Sequence, residues 1–182
     1  CHSKIYYYLC YTECSVLGNS EMKILILYLA TVVVFFVLDA IGLRTIVKPV
    51  FDRHISALYA DPFRVVPALI FYLGYVAGIL YFVSAPALRN GDPVAALIGG
   101  ALLGLLAYGT YEFTNYATLR DWTAEQVAVD TLWGAALTGV SAWAGVMIAR
   151  RGESTFQVTN REIIAYACKT CDYLFFAALI RH

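Results

Sequence analysis

YGTYEFTNYATLRDWTAEQVAVDTLWG, from Tyr108 to Gly134, is the stretch on which the fold turns. Apolar and small residues dominate its two ends, and Arg120-Asp121-Trp122 divides it into two helices joined by a very short turn. Thr123-Ala124-Glu125-Gln126 has the S/T-x-x-E/Q form of a capping box, which fixes where the second helix starts. Glu112, Asn115 and Asp130 lie inside these otherwise lipid-soluble helices. Charged groups at that depth are costly and face a partner or a cavity, not lipid.

The rest of the chain carries the same signature. Of 182 residues, 60% are hydrophobic and 14% charged, with a mean hydropathy of +0.66. A soluble domain has about 45–50% apolar and about 25% charged residues. The reading is therefore all-α: a four-helix transmembrane bundle with short loops. Thirteen basic residues balance thirteen acidic ones, so the charge offers nothing to nucleic acid. Fourteen tyrosines and three tryptophans suit a long boundary between membrane and water.

Upstream of the central stretch, two further spans are expected. Helix one runs from about Lys23 to Val47 with only Asp39 charged in its core; Pro49 stops it, and a loop from Lys48 to Asp61 carries His54 as a solvated residue. Helix two runs from about Phe63 to Ala85, and its Gly74-x-x-x-Gly78 lets a neighbouring helix come close. Asn90-Gly91-Asp92-Pro93 is a turn, and Pro93 suits the first position of helix three, about Pro93 to Leu119. Gly100-x-x-x-Gly104 again predicts close packing. Helix four extends from about Thr123-Ala124 to Ala149, where Arg150-Arg151 ends it at the membrane surface.

The flanks read differently. Residues 1–21 contain polar interruptions before the unbroken apolar run that Met22 opens, so they are expected to be an extension outside the natural domain, 22–151. Residues 152–182 read as an appended tail, interfacial or disordered. A fifth span there would bury Lys169 and Asp172 near its middle, at about 2.5–3.5 kcal/mol each. Cys1, Cys10, Cys14, Cys168 and Cys171 fall in these flanks; an odd count over two termini is a poor disulfide framework, and one CxxC does not make a zinc site.

Counting turns places the acids. Four spans put both ends of 22–151 on one side, called side A. Asp39 and Glu112 then lie about two turns before the side-B ends of helices one and three, and Asp130 about two turns into helix four. The expectation is three carboxylates at nearly one depth, with no lysine or arginine deeper in any span. On helix three, Tyr108, Glu112, Asn115 and Leu119 share a stripe flanked by Tyr111 and Thr118; on helix four, Asp130, Trp133, Gly134, Leu137, Thr138 and Ser141 do the same. Such stripes face inward, because lipid cannot solvate them. Tyr72 and Tyr75 lie on the half of helix two nearest the acids.

Three carboxylates in a low-dielectric site cannot all stay ionised without a cation or a shared proton. One reading is a cation or metal site with oxygen ligands from Asp39, Glu112, Asn115 and Asp130, supported by Tyr72, Tyr75, Tyr108, Tyr111, Thr118 and Trp133. A second is a ligand site for a small or lipid-derived molecule, including acid–base chemistry with Glu112 as proton carrier. A third is a hydrogen-bonded network that only fixes helix packing. Sequence alone leaves all three open, along with catalysis, cofactor identity and membrane orientation.

Leu38-Asp39-Ala40, Phe71-Tyr72-Leu73 with Tyr75-Val76-Ala77-Gly78, Thr110-Tyr111-Glu112-Phe113-Thr114-Asn115-Tyr116-Ala117-Thr118-Leu119 and Asp130-Thr131-Leu132-Trp133-Gly134 resemble the bacterial membrane family called domain of unknown function 2177. The resemblance covers about Met22 to Arg151. It implies a four-helix protein of the bacterial cytoplasmic (inner) membrane, with no activity to carry over. Two departures stand out: Gly42 replaces the family's usual tryptophan three residues after the helix-one aspartate, and Glu112 stands where aspartate is common.

No phosphate-cradling glycine loop, HExxH or Ser/His/Asp set occurs in the spans, which contain no histidine. The expected partners are membrane lipids, and a second copy or another membrane protein through the GxxxG faces. A non-catalytic accessory subunit is the alternative to a ligand-binding protein or lipid-modifying enzyme.

Overall fold

A computed structural model describes the backbone of residues 2–62 and 64–179 and the side chains of residues 22–62 and 64–152. The helices are α1 (His2–Gly42), α2 (Lys48–Ile55), α3 (Val65–Ile79), α4 (Ala85–Asn90), α5 (Pro93–Thr118) and α6 (Ala124–Leu179), with no strand among the described residues. The chain divides into two units, Cys1–Ala149 and Arg150–His182, and the first holds all three membrane-embedded acids. Four segments are long and apolar enough to cross a membrane: Met22–Leu58, Val65–Asn90, Pro93–Thr118 and Ala124–Gly152, numbered spans one to four. The protein is an all-α membrane protein. The side chains of the five cysteines and of the tail from residue 153 lie outside the described residues.

Several boundaries differ from those expected, each for a physical reason. Pro49 does not stop the first span. A π-helical turn, Leu43–Val47, precedes it, and the chain continues as α2 and a 3-10 turn to Leu58. The second span does the same: a π-turn at Leu80–Ser84 precedes Pro86, and helix resumes to Asn90. A proline inside a helix lacks an N–H and clashes with the carbonyl four residues back. The wider turn resets the hydrogen-bond ladder, so each proline falls in the first turn of a new helix, where no donor is required. The expected loop from Lys48 to Asp61 is thus mostly helix, and His54 sits on α2 with Nε2 3.5 Å from Glu125. At the other extremes the helical backbone starts at His2 and passes Arg150-Arg151 to reach Leu179. No proline interrupts residues 2–22, and arginine is a good helix former, so neither boundary is imposed by the backbone.

The turns follow the sequence. Asp92 caps α5 by accepting from the N–H groups of Val94 and Ala95 at 3.0 and 3.1 Å, after Gly91 reverses the chain at φ 68°. The Thr123–Gln126 box is reciprocal: Thr123 N donates to Gln126 Oε1 at 2.9 Å, and Gln126 N to Thr123 Oγ1 at 3.4 Å.

Span four is the central helix. Half of its apolar window is buried inside the molecule (50%), against 22%, 11% and 17% for spans one, two and three. Small residues let it approach its neighbours. A Cβ on Gly100 would lie 2.9 Å from the Gly139 Cα, and one on Gly104 would overlap the Gly134 carbonyl oxygen. Gly145 admits Thr31 of span one in the same way. The Gly100-x-x-x-Gly104 face is therefore filled by span four, which removes it as a surface for another protein. Gly74 and Gly78 differ: a Cβ on either meets nothing within 4 Å. Inside the bundle, Leu27, Phe35, Val76, Ile79, Leu137 and Val146 form the apolar core. A smaller cluster of Ile55, Trp122 and Val127 with Phe51 closes the side-B end.

Candidate intramembrane polar site

Asp39, Glu112 and Asp130 are all buried, at 4%, 0% and 8% exposure, which is unusual for carboxyl groups without a cationic partner. Asp130 is their common neighbour. It lies within hydrogen-bonding reach of Glu112 and close enough to Asp39 for the two charges to interact. Two ionised carboxylates hold no donor, so the Glu112–Asp130 contact becomes a bond only when one of the pair carries a proton. Gly42 packs on the Trp133 indole, and each of the two lies three residues past an acid on its own helix, Asp39 and Asp130.

Glu112 is held from side B by a residue that the sequence presents only as part of a turn. Trp122 Nε1 donates to Glu112 Oε2 at 2.7 Å, and the Trp122 ring is gripped edge-on by Phe51 of α2 and by Tyr111, at 5.5 and 5.8 Å between centroids. Arg53 pairs with Glu125 at 2.6 Å on the outside of the same corner. The available signal is chemical: an indole N–H is donor-only, and a tight turn returns it toward the helix it has just left. Trp122→Phe keeps the ring and deletes the donor. It is expected to cost about 1–3 kcal/mol, read as a fall of several degrees in thermal midpoint, because Glu112 Oε2 is left buried without a partner. A midpoint unchanged by the substitution would show that this bond does not hold the acid.

The remaining candidates separate into near and far. Tyr108 stacks its ring on Gly134, where a Cβ would overlap it, and lies near enough to feel both Asp39 and Asp130. Tyr72 sits beside Asp39 with its ring against Phe35 and Phe36. Tyr75 Oη and Thr138 Oγ1 share a hydrogen bond of 3.1 Å, and the Tyr75 ring meets Tyr108 edge-on at 6.3 Å. Trp133 lays its six-membered ring over the bare face of Gly42. Asn115 is less enclosed than the acids: it is only partly buried, and Tyr111, one turn before it, is 56% exposed. Thr118 is also outside the site. Its hydroxyl donates back to the Thr114 carbonyl, as Thr114 does to Thr110 and Thr110 to Leu106, so the threonine row at i, i+4 is satisfied by its own helix.

Around the acids, several buried polar atoms have no hydrogen-bond partner among the described residues: Glu112 Oε1, Gln126 Nε2, Thr131 Oγ1 and Trp133 Nε1. Gln126 and Thr131 flank Asp130 on span four, Gln126 one turn before it on the same face. From the sequence, neither reads as more than a cap or a spacer. Among the described residues no three His, Cys, Asp or Glu side chains converge as a metal-binding group. A cavity of about 380 Å³ lies away from the acids, on the outer face of span two.

The chain belongs to the family described as "Predicted membrane protein (DUF2177)", whose model matches residues 24–147, the whole of the bundle apart from its extremities. No curated protein and no solved structure matches it.

Proposed function

We propose that this membrane domain binds a small polar or lipid-derived ligand at Asp39, Glu112 and Asp130, with a proton shared between Glu112 and Asp130. One observation supports the reading: the buried N–H groups of Trp133 and Gln126, on the helix that carries Asp130, have no acceptor among the described residues. A network that served only packing would pair these groups with one another, since partly satisfied buried networks cost more than apolar cores. A bare cation matches the oxygens but not the Trp133 and Gln126 N–H donors, which need an acceptor. A ligand bearing hydroxyl, ester or carboxyl groups offers both. The Glu112–Asp130 contact favours proton transfer to or from that ligand, with Glu112 as the carrier. Placement in the bacterial cytoplasmic membrane rests on the family resemblance.

Dihexanoylphosphatidylethanolamine, which has a full polar region and very short tails, is the probe. Added to the purified full chain at about ten times its dissociation constant, it should raise the thermal midpoint by roughly 3–6 °C. Asp130→Asn should remove most of that shift while leaving the ligand-free protein folded. Stabilisation by Mg²⁺ or Mn²⁺ in place of the lipid would move the assignment to the cation reading. No stabilisation by either would leave a packing network.

A further inference from the structure

The cleft on span two has a shape that the polar site alone does not explain. Gly74 and Gly78 form its floor, open to at least 4 Å above each Cβ position. Ile70, Phe71 and Phe82 stand up as walls, 68%, 64% and 69% exposed, and Leu103 of span three closes one side. A volume of about 380 Å³ is that of a small-ligand pocket, typically about 300–1,000 Å³. A helix seeking the two glycines would first have to displace three large side chains.

The cleft belongs to a membrane-crossing helix, so hydrocarbon is what lies against it. Its lining turns polar at one residue, Tyr75. That hydroxyl is tied to Thr138 of span four, and its ring touches Tyr108, the neighbour of Asp39 and Asp130. From Phe82 to Ile70 the cleft runs twelve residues along the helix, about 18 Å, and Tyr75 in its lining meets Thr138 and Tyr108 of the two neighbouring spans. We infer that the cleft seats one acyl chain of a phospholipid whose polar part is held at the acidic site, so that the ligand of this protein is a long-chain amphiphile. The inference rests on the ligand-binding reading of the acidic site and narrows it to a substrate class.

The test uses the full chain reconstituted in palmitoyl-oleoyl phosphatidylethanolamine/phosphatidylglycerol bilayers, released into mild detergent and weighed by native mass spectrometry. The wild type should retain one phospholipid per chain. A Cβ at Gly74 or Gly78 meets nothing within 4 Å, so Gly78→Leu and, separately, Gly74→Leu should fill the floor and fold normally. Both should lower the lipid-bound fraction by about ten-fold or more, since each buried methylene displaced is worth roughly a four-fold change in affinity. A wild type that retains no lipid, or leucine variants that retain it unchanged, overturns the cleft. So does a wild-type dimer that Gly78→Leu converts to a monomer, because a helix would then occupy the face. The short-chain probe separates this from the underlying reading, since its tails are too short to fill the cleft. Retained long-chain lipid without a short-chain thermal shift sinks the acidic site and keeps the cleft; the reverse sinks the cleft and keeps the site.

Discussion

Gly42→Trp is expected to leave no folded, monodisperse protein, and Gly42→Ala to lower the thermal midpoint by roughly 5–10 °C. A Cβ on Gly42 would overlap the six-membered ring of Trp133, a flat and rigid group that cannot bend aside as a lysine would. Alanine also improves helix propensity by up to about 1 kcal/mol, so a net loss would mean that overpacking, typically about 1–3 kcal/mol, wins. The decisive variant is the double one. Trp133→Ala alone should cost about 3–5 kcal/mol through the hole it leaves. Combined with Gly42→Trp, it should recover much of that loss, because one indole can occupy the same space from either helix. Thermal unfolding of the wild type, Trp133→Ala and the double variant in one detergent reads the result. A double variant no more stable than Trp133→Ala would mean that Gly42 and Trp133 do not share that space.

Trp133 of span four fills the bare face of Gly42. Its N–H is buried with no hydrogen-bond partner among the described residues.

What can be read from the sequence is whatever depends on one helix at a time. Span number, the Asp92 and Thr123 caps and the inward stripe on helix four all follow from period and local chemistry. Counting residues also brings Asp39 and Glu112 toward Asp130, since a helix advances by a fixed rise. The errors arise wherever two segments have to be considered together. Pro49 looks like a stop because the clash of a proline with its preceding turn is local, whereas the π-turn that relieves it depends on what α2 gains by covering Trp122. Asn115 belongs to the stripe of Glu112 by period, yet it is only partly buried, in the last turns of span three where Tyr116, Ala117 and Thr118 are exposed. Trp122 looks like a turn residue because nothing local tells an indole to reach back to the glutamate ten positions earlier.

Gly104→Leu is expected to be strongly damaging, although the same change at Gly78 is expected to be silent in fold. Both glycines belong to a GxxxG pair, and the motif states only that a backbone can be approached closely. At Gly104 the approach is already made: a Cβ would overlap the Gly134 carbonyl oxygen and lie 2.7 Å from Thr138 Oγ1. A backbone carbonyl of a packed helix has no rotamer to change, so spans three and four must separate to admit a side chain. Separation also pulls Thr138 from Tyr75 and Tyr108 from its seat on Gly134, so the loss reaches the polar site as well as the packing. The expected cost is about 3 kcal/mol or more, which corresponds to a midpoint lower by roughly 6–12 °C or to no recoverable protein. Leucine is as soluble in lipid as the residues around it, so membrane insertion itself should be unaffected. That makes the comparison clean: protein present in the membrane fraction but lost as a sharp peak on gel filtration assigns the defect to helix packing. Equal midpoints for Gly104→Leu and wild type would mean that spans three and four do not meet through this face, and the position of Tyr108 beside Asp130 would lose its support.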